Sequence, residues 1–263
     1  MVGGLLAGIG AVVAIVAAVA PPGTLPDLFR DATGDDELRT TVYGDGATFG
    51  VNGAVFPDAL DPATTAKVTT DTALHDLLQQ HHGRALSKSQ AVVVLQNNHS
   101  TSISVVDVRA IVTKRSDPPP AGTLVLPPGE GGSQQNLLVG FDLDHGDAPH
   151  ARLLADNGKL GKAFGSETNV LLAPNDQYTI TVHGLTTSCT CDWYIKMDYV
   201  IDGHTETRNI GSPEAPFSIS GPAPHYDTSY QWDYTKLVPI DQATVCGGDC
   251  TSKAAEWKNN GHG

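Results

Sequence analysis

The nineteen residues from Val2 to Ala20 (VGGLLAGIGAVVAIVAAVA) include no charged or strongly polar side chain. At a helical rise of ~1.5 Å per residue this run reaches roughly 29 Å, about the hydrocarbon thickness of a bilayer. Its apolar residues cover every face of a helix rather than one stripe, which separates it from a helix packed on a soluble core. Ala18-Val19-Ala20 imitates the small-x-small end of a cleaved secretory signal. No Lys or Arg precedes the run, however, and Pro21 and Pro22 follow it directly. Proline just after a scissile bond removes an N–H and fixes φ, whereas it suits the end of a retained helix. Residues 2–20 therefore read as a single transmembrane anchor in contact with the lipid bilayer. Gly4 and Gly8 form a GxxxG spacing, which arises readily in any Gly/Ala-rich run.

Residues 21–40 are rich in Pro, Asp and Gly and read as a flexible stalk. A helical period follows over Asp71–His82 (DTALHDLLQQHH), where Leu74, Leu77 and Leu78 share one face. Thr70 or Asp71 can cap its start and Gly83 can end it. Beyond this point the period becomes two. Ala91–Leu95 is a solid apolar run that suits a central strand. In Ile103–Val112, Val106, Val108, Ala110 and Val112 share a face opposite Asp107 and Arg109. Leu137, Val139, Phe141 and Leu143 line up against Gly140 and Asp142. Tyr178, Ile180 and Val182 alternate with outward Thr179 and Thr181. Such alternation describes sheets with one buried and one wet face.

The stretch Cys191–Ile210 permits a register. Asp202-Gly203 is a type I′ turn signal between two strand-like runs. A two-residue loop pairs Ile201 with His204, Tyr199 with Glu206, Met197 with Arg208 and Ile195 with Ile210. Trp193 and Cys191 extend the same buried face, while Lys196, Asp198, Thr205, Thr207 and Asn209 face solvent. Further strands separated by PPPAG at 118–122 and LPPGEGG at 126–132 bring the total to eight to ten. The predicted architecture is mainly β: an antiparallel β-sandwich, immunoglobulin-like in general outline, with one short helix. It spans residues 41–250, followed by a disordered tail at 251–263.

Net charge changes the range of partners. The chain carries 29 acidic against 16 basic residues, a formal charge of −13. Such a body repels phosphate backbones, so nucleic acid is not an expected partner. All four cysteines, Cys189, Cys191, Cys246 and Cys250, fall in the last third. An even number after an export-like N-terminus favours two disulfides over a zinc site, whose ligand pairs are usually spaced wider than Cys-x-Cys. The expected pairing staples the Cys189/Cys191 strand to the Cys246/Cys250 segment, because a ring within Cys-x-Cys is strained. The soluble part is therefore expected outside the cytoplasm, held at the cell membrane by one span.

The order of these pieces resembles a family of uncharacterised actinobacterial envelope proteins. The matching segments are the apolar opening, LFRDATGDDEL, VVVLQNNHSTSISVVDVRAIV, AGTLVLPPGE and NLLVGFDLDHGDAPHARLL, then NVLLAPNDQYTITVHG, CTCDWYIKMDYVIDG, EAPFSIS and YQWDY. They cover most of residues 25–235 and are structural in kind. The resemblance implies a membrane-tethered, β-rich exterior domain and supplies no catalytic residue.

Candidate chemistry is sparse. Asp142, Asp144 and Asp147 in DLDHGD have the alternation of a calcium loop, although the late bidentate Glu is missing and a solvated acidic turn explains them equally. Tyr230, Trp232 and Tyr234 alternate on one face of a short strand, where they would either stack on an envelope glycan or pack into the core. His75, His81 and His82 sit at helical positions that cannot share one ion. Cys189 with Arg208 and His145 or His150 has the cast of a sortase-like thiol transpeptidase, but LTTSC departs from TLxTC and Cys191 is close enough to oxidise the nucleophile. Asn98-His99-Ser100 matches a glycosylation sequon, a triplet common by chance. No hydrolase elbow, zincin or phosphate-loop pattern occurs. The expectation is a non-enzymatic binding or structural module without cofactor, whose partner is an envelope glycan or protein.

Overall fold

The β12–β13 hairpin, Thr190–Ile201 and His204–Ile210, closes in the expected register, Ile195 opposite Ile210 through Ile201 opposite His204. Asp202 (φ 49°) and Gly203 (φ 79°) both adopt the left-handed conformation that a type I′ turn demands. Every second residue of β12 from Cys191 to Ile201 is buried, so one face of this strand is apolar along its whole length.

The computed structural model describes residues 37–43, 49–128, 137–155, 157–166 and 168–259. The protein is mainly β, 48 % strand against 14 % helix, and its sheets are mixed. One sheet has six strands in the order β1-β4-β11-β7-β8-β9, namely Leu38–Tyr43, Lys88–Asn97, Gln177–Leu185, Leu137–Asp142, Arg152–Leu154 and Leu160–Ala163. The other has ten. It begins β10-β5-β12-β14, where β10 is Val170–Leu172, β5 Ile103–Ser116 and β14 Phe217–Ser220, and β13 pairs beside β12. It continues β3-β2-β6-β15-β16, which are Arg84–Leu86, Ala54–Phe56, Thr123–Leu126, Thr228–Trp232 and Leu237–Pro239.

The purely antiparallel expectation is corrected by three parallel pairings, β7 with β11, β3 with β14 and β6 with β15. None of these pairs is joined by a short loop, so no turn signal could announce them. A second correction concerns β5. Val105 is fully buried and Val106 is 43 % exposed, because a register shift opposite Asp198/Tyr199 inserts one extra residue. The predicted alternation therefore holds only from Val108 onward.

The main core draws side chains from both sheets. Ala91, Val93 and Leu95 of β4 and Ile180 and Val182 of β11 meet Ile195, Met197 and Ile219 from the second sheet. Trp193 lies between them, its ring 5.7 Å from Phe141 of the first sheet and 5.0 Å from Phe217 of the second. The far end of the ten-stranded sheet is enclosed on both faces. Ala54, Phe56 and Val125 pack under a helix, while Val55 and Leu124 point the other way into a separate cluster with Cys246, Cys250 and Trp257. This is why AVF and TLVL read as continuous rather than alternating apolar runs.

Among the described residues four short α-helices appear, α1 Pro62–Thr65, α2 Asp71–Gln80, α3 Gln242–Cys246 and α4 Ala254–Asn259, with a 3₁₀ turn at Cys250–Lys253. The predicted helix is α2, capped by Thr70 Oγ1 accepting from Ala73 N–H at 3.1 Å. Its left-handed end residue is His82 (φ 54°) rather than Gly83, which is instead pressed against Leu78 and Phe56. Asp61 caps α1, Asp241 caps α3 and Asp249 caps the 3₁₀ turn, each carboxylate accepting backbone N–H from the first turn.

Both predicted ends of the domain move. Leu38, assigned to the stalk, is fully buried in β1, and residues 251–259, assigned to a disordered tail, are helical with Trp257 buried. The anchor at 2–20 and most of the stalk lie outside the described residues. Among the described residues no helix is long and apolar enough to cross a membrane.

Gly184 of β11 lets the Trp193 indole approach its backbone, since a Cβ there would lie 2.6 Å from the ring. Gly184→Ala is expected to lower stability by about 2 kcal/mol through overpacking, read as a shifted denaturant midpoint with an unchanged slope.

Candidate functional site

The densest polar cluster forms where β7 ends. Asp142 is its last residue, and the chain then turns through Leu143 and Asp144, whose N–H donates to Asp142 Oδ1 at 3.2 Å. The hydroxyl-rich segment leaving β11, Thr186-Thr187-Ser188, wraps the Asp144 carboxylate. Thr186 Oγ1 donates to Oδ1 at 2.6 Å, Thr187 N–H and Oγ1 donate to Oδ2 at 2.9 and 2.8 Å, and Ser188 N–H donates to Oδ1 at 3.2 Å. Lys258 of α4 completes the cluster, its Nζ 2.8 Å from Asp142 Oδ1 and 2.8 Å from Asp144 Oδ2. The Asp144 side chain is only 9 % exposed and that of Lys258 14 %.

Burial pushes the Asp144 carboxyl up, but the hydrogen bonds from Lys258, Thr186 and Thr187 outweigh it and hold the group well below the usual carboxylate range. Burial lowers Lys258, and the two carboxylates more than reverse that, leaving it above its ordinary value. This arrangement ties the C-terminal helix to the sheet. Its members are locked in complementary charge rather than poised for proton transfer.

The predicted calcium set is not gathered here. Asp147 is exposed while Asp142 and Asp144 face an ammonium, and no group of three His, Cys, Asp or Glu residues able to hold a metal occurs among the described residues. The aromatic stripe is also broken up. Tyr230 and Trp232 are buried beneath α2, with Trp232 Nε1 donating to Asp71 Oδ1 at 3.0 Å. Tyr234 lies past the strand at φ 69° and is 46 % exposed. Two of the three rings thus serve the core.

The cysteines pair locally, Cys189 with Cys191 and Cys246 with Cys250. This corrects the expected staple between the two segments. The Cα atoms within each pair stand 5.7 and 4.6 Å apart, inside the range a disulfide spans, and the C-terminus is instead held by Lys258 and Trp257. The sortase-like cast disperses with it. Cys189 is bonded, His150 Nδ1 lies 2.9 Å from Asp107 Oδ1, His145 Nδ1 is 3.4 Å from Asp142, and Arg208 donates to the Leu38 carbonyl at 3.1 Å.

Two grooves flank α4. One, of about 450 Å³, is largely apolar, lined by Val51, Leu126, Pro127, Ile240, Val245 and Trp257 with Asn52, Gln231, Asp241 and Thr244 at its polar edge. The other, of about 390 Å³, borders the Asp–Lys cluster and adds Arg152, Lys159 and Leu160. Lys258 and the Thr186–Ser188 segment escaped the sequence reading. The run of three hydroxyl residues before Cys189 was the available signal for the latter. No protein-family model matches the chain, and no curated protein does either.

Asp144→Ala is expected to cost about 3 kcal/mol, the lower part of the range for a broken buried pair because Asp142 still faces Lys258. The tie also sets a pH window. Asp144, lowered from 3.8, contributes fully above that value and is lost as pH falls through its native value; Lys258, raised from 10.5, contributes fully below that value and is lost as pH rises through its native value. Hydrogen-exchange protection of residues 250–259, taken relative to the intrinsic amide rate at each pH, should therefore stay high at neutral pH and fall only at the two extremes. Each disulfide closes a very short loop, so removing either is expected to cost about 2 kcal/mol rather than the roughly 4 kcal/mol of a long-range staple, as measured by denaturation of serine variants.

Proposed function

We propose that the chain is a non-enzymatic binding or structural module, tethered to the cell membrane through residues 2–20 and displayed outside the cytoplasm. Within it, the two sheets stack face to face as a β-sandwich, immunoglobulin-like in general outline, about the core centred on Trp193. The observation that carries this reading is the Asp142–Asp144–Lys258 cluster. This dense concentration of ionisable groups and hydroxyls beside a groove is consumed in fixing the C-terminal helix, which favours a scaffold role over chemistry. Two local disulfides support an oxidising compartment, since such bonds persist outside the cytoplasm. A charge of −13 argues against nucleic acid or an anionic surface as ligand.

A protein or glycan of the envelope is the partner class that fits this placement. Room for it exists in the apolar groove beside Trp257, which offers more contact surface than the exposed Tyr234 alone.

Pull-down from native envelope with the full-length chain in detergent should retain a partner that Gln231→Trp, filling the groove from its exposed edge, releases. Lys159→Glu in the other groove should leave capture intact. Turnover of an envelope substrate by the full-length chain, abolished by one point substitution, would falsify the non-enzymatic reading.

A further inference from the structure

The loop between β4 and β5 carries Asn98-His99-Ser100, the only Asn-x-Ser/Thr triplet in the chain. Its neighbours hold the loop from within. Asn97 is fully buried, and its Nδ2 donates to the carbonyls of Thr101, Leu172 and Ala173 at 2.9, 3.0 and 3.0 Å. Its Oδ1 accepts the His99 N–H at 2.8 Å. The His99 ring leans back onto the body of the protein, with Nε2 3.5 Å from Glu37 and 3.7 Å from Asp202, and Nδ1 2.9 Å from Thr101 Oγ1. With the residues on either side turned inward, Asn98 and Ser100 are both exposed. A bulky hydrophilic group attached there disturbs no core contact.

We propose that Asn98 is the acceptor of an N-linked glycan. The co-reactant is a lipid-phosphate-linked oligosaccharide used by a membrane-bound transferase. Nδ2 of Asn98 forms a bond to the anomeric carbon of the sugar as the bond from that carbon to the phosphate oxygen breaks. The lipid phosphate leaves with the electron pair, and the proton lost from the amide passes to a base of the transferase, so nothing is oxidised or reduced. The Ser100 hydroxyl supplies the group at the second position that defines the acceptor. The proposal rests on the extracytoplasmic placement proposed above, because the transfer occurs on the exported side of the membrane.

Full-length protein taken from its native membrane, digested and analysed by mass spectrometry, should show a sugar mass on the peptide containing Asn98. Asn98→Gln and Ser100→Ala should each remove that mass completely, whereas Ser100→Thr, which keeps the hydroxyl, should retain it. Alkylation of the same samples before reduction counts the free thiols, and circular dichroism verifies that each variant folds. An unmodified Asn98 in protein whose four cysteines are all oxidised overturns the acceptor assignment and leaves the exported placement standing. An unmodified Asn98 with four free thiols overturns the placement and the assignment together. A sugar mass that persists in Asn98→Gln places the glycan elsewhere and equally overturns the proposal.

Discussion

Trp193 is the contact on which the architecture turns. Its indole bridges the two sheets, edge-on to Phe141 and tilted against Phe217, and it needs Gly184 opposite because any larger residue would occupy the same space. Aromatic burial of this kind contributes more per residue than any single aliphatic contact nearby. The alternation of β12 presents that ring and sets Ile195, Met197, Tyr199 and Ile201 on the same side, so one strand organises most of the main core. Proteins of this length can bury such a core without long-range covalent links, which fits the short reach of both disulfides.

Away from that core the fold is completed by smaller devices. The far end of the ten-stranded sheet is covered by α2 on one face and by the C-terminal helices on the other. Neither cover is large enough to stand alone. The helix α4 has six residues and depends on the Lys258 ion pairs and the Trp257 side chain to stay docked. Each local disulfide constrains its own turn, and electrostatics and burial close the chain onto the sheet. The carboxylates that look like chemistry in sequence are spent on this closure, met by hydroxyls and a lysine from distant segments.

The functional reading follows from where the remaining free surface lies. The two grooves border α4, and Tyr230 and Trp232 are inside the protein. The proposed role as a displayed module rests on shape and placement, on what the grooves can hold. The β4–β5 loop adds a second kind of exterior feature, an ordered turn with two exposed residues at glycan-acceptor spacing.

Local features were legible from the chain alone. The β12–β13 register follows from a two-residue loop that leaves one pairing, and α2 follows from leucine spacing and a threonine cap. Asp61, Asp241 and Asp249 were equally legible as caps, yet the helices they begin are too short to show a period. What the tertiary structure decided is non-local. Lys258 reaches Asp144 across 114 residues, the parallel strand pairs meet through long connections, and α2 covers Tyr230 and Trp232. An alternating pattern states that one side of a strand is apolar, but whether a neighbour arrives to bury it depends on chain segments far away. The cysteines show the same division: their even number was plain, while their partners depended on which sulfur atoms the folded backbone brought within bonding distance.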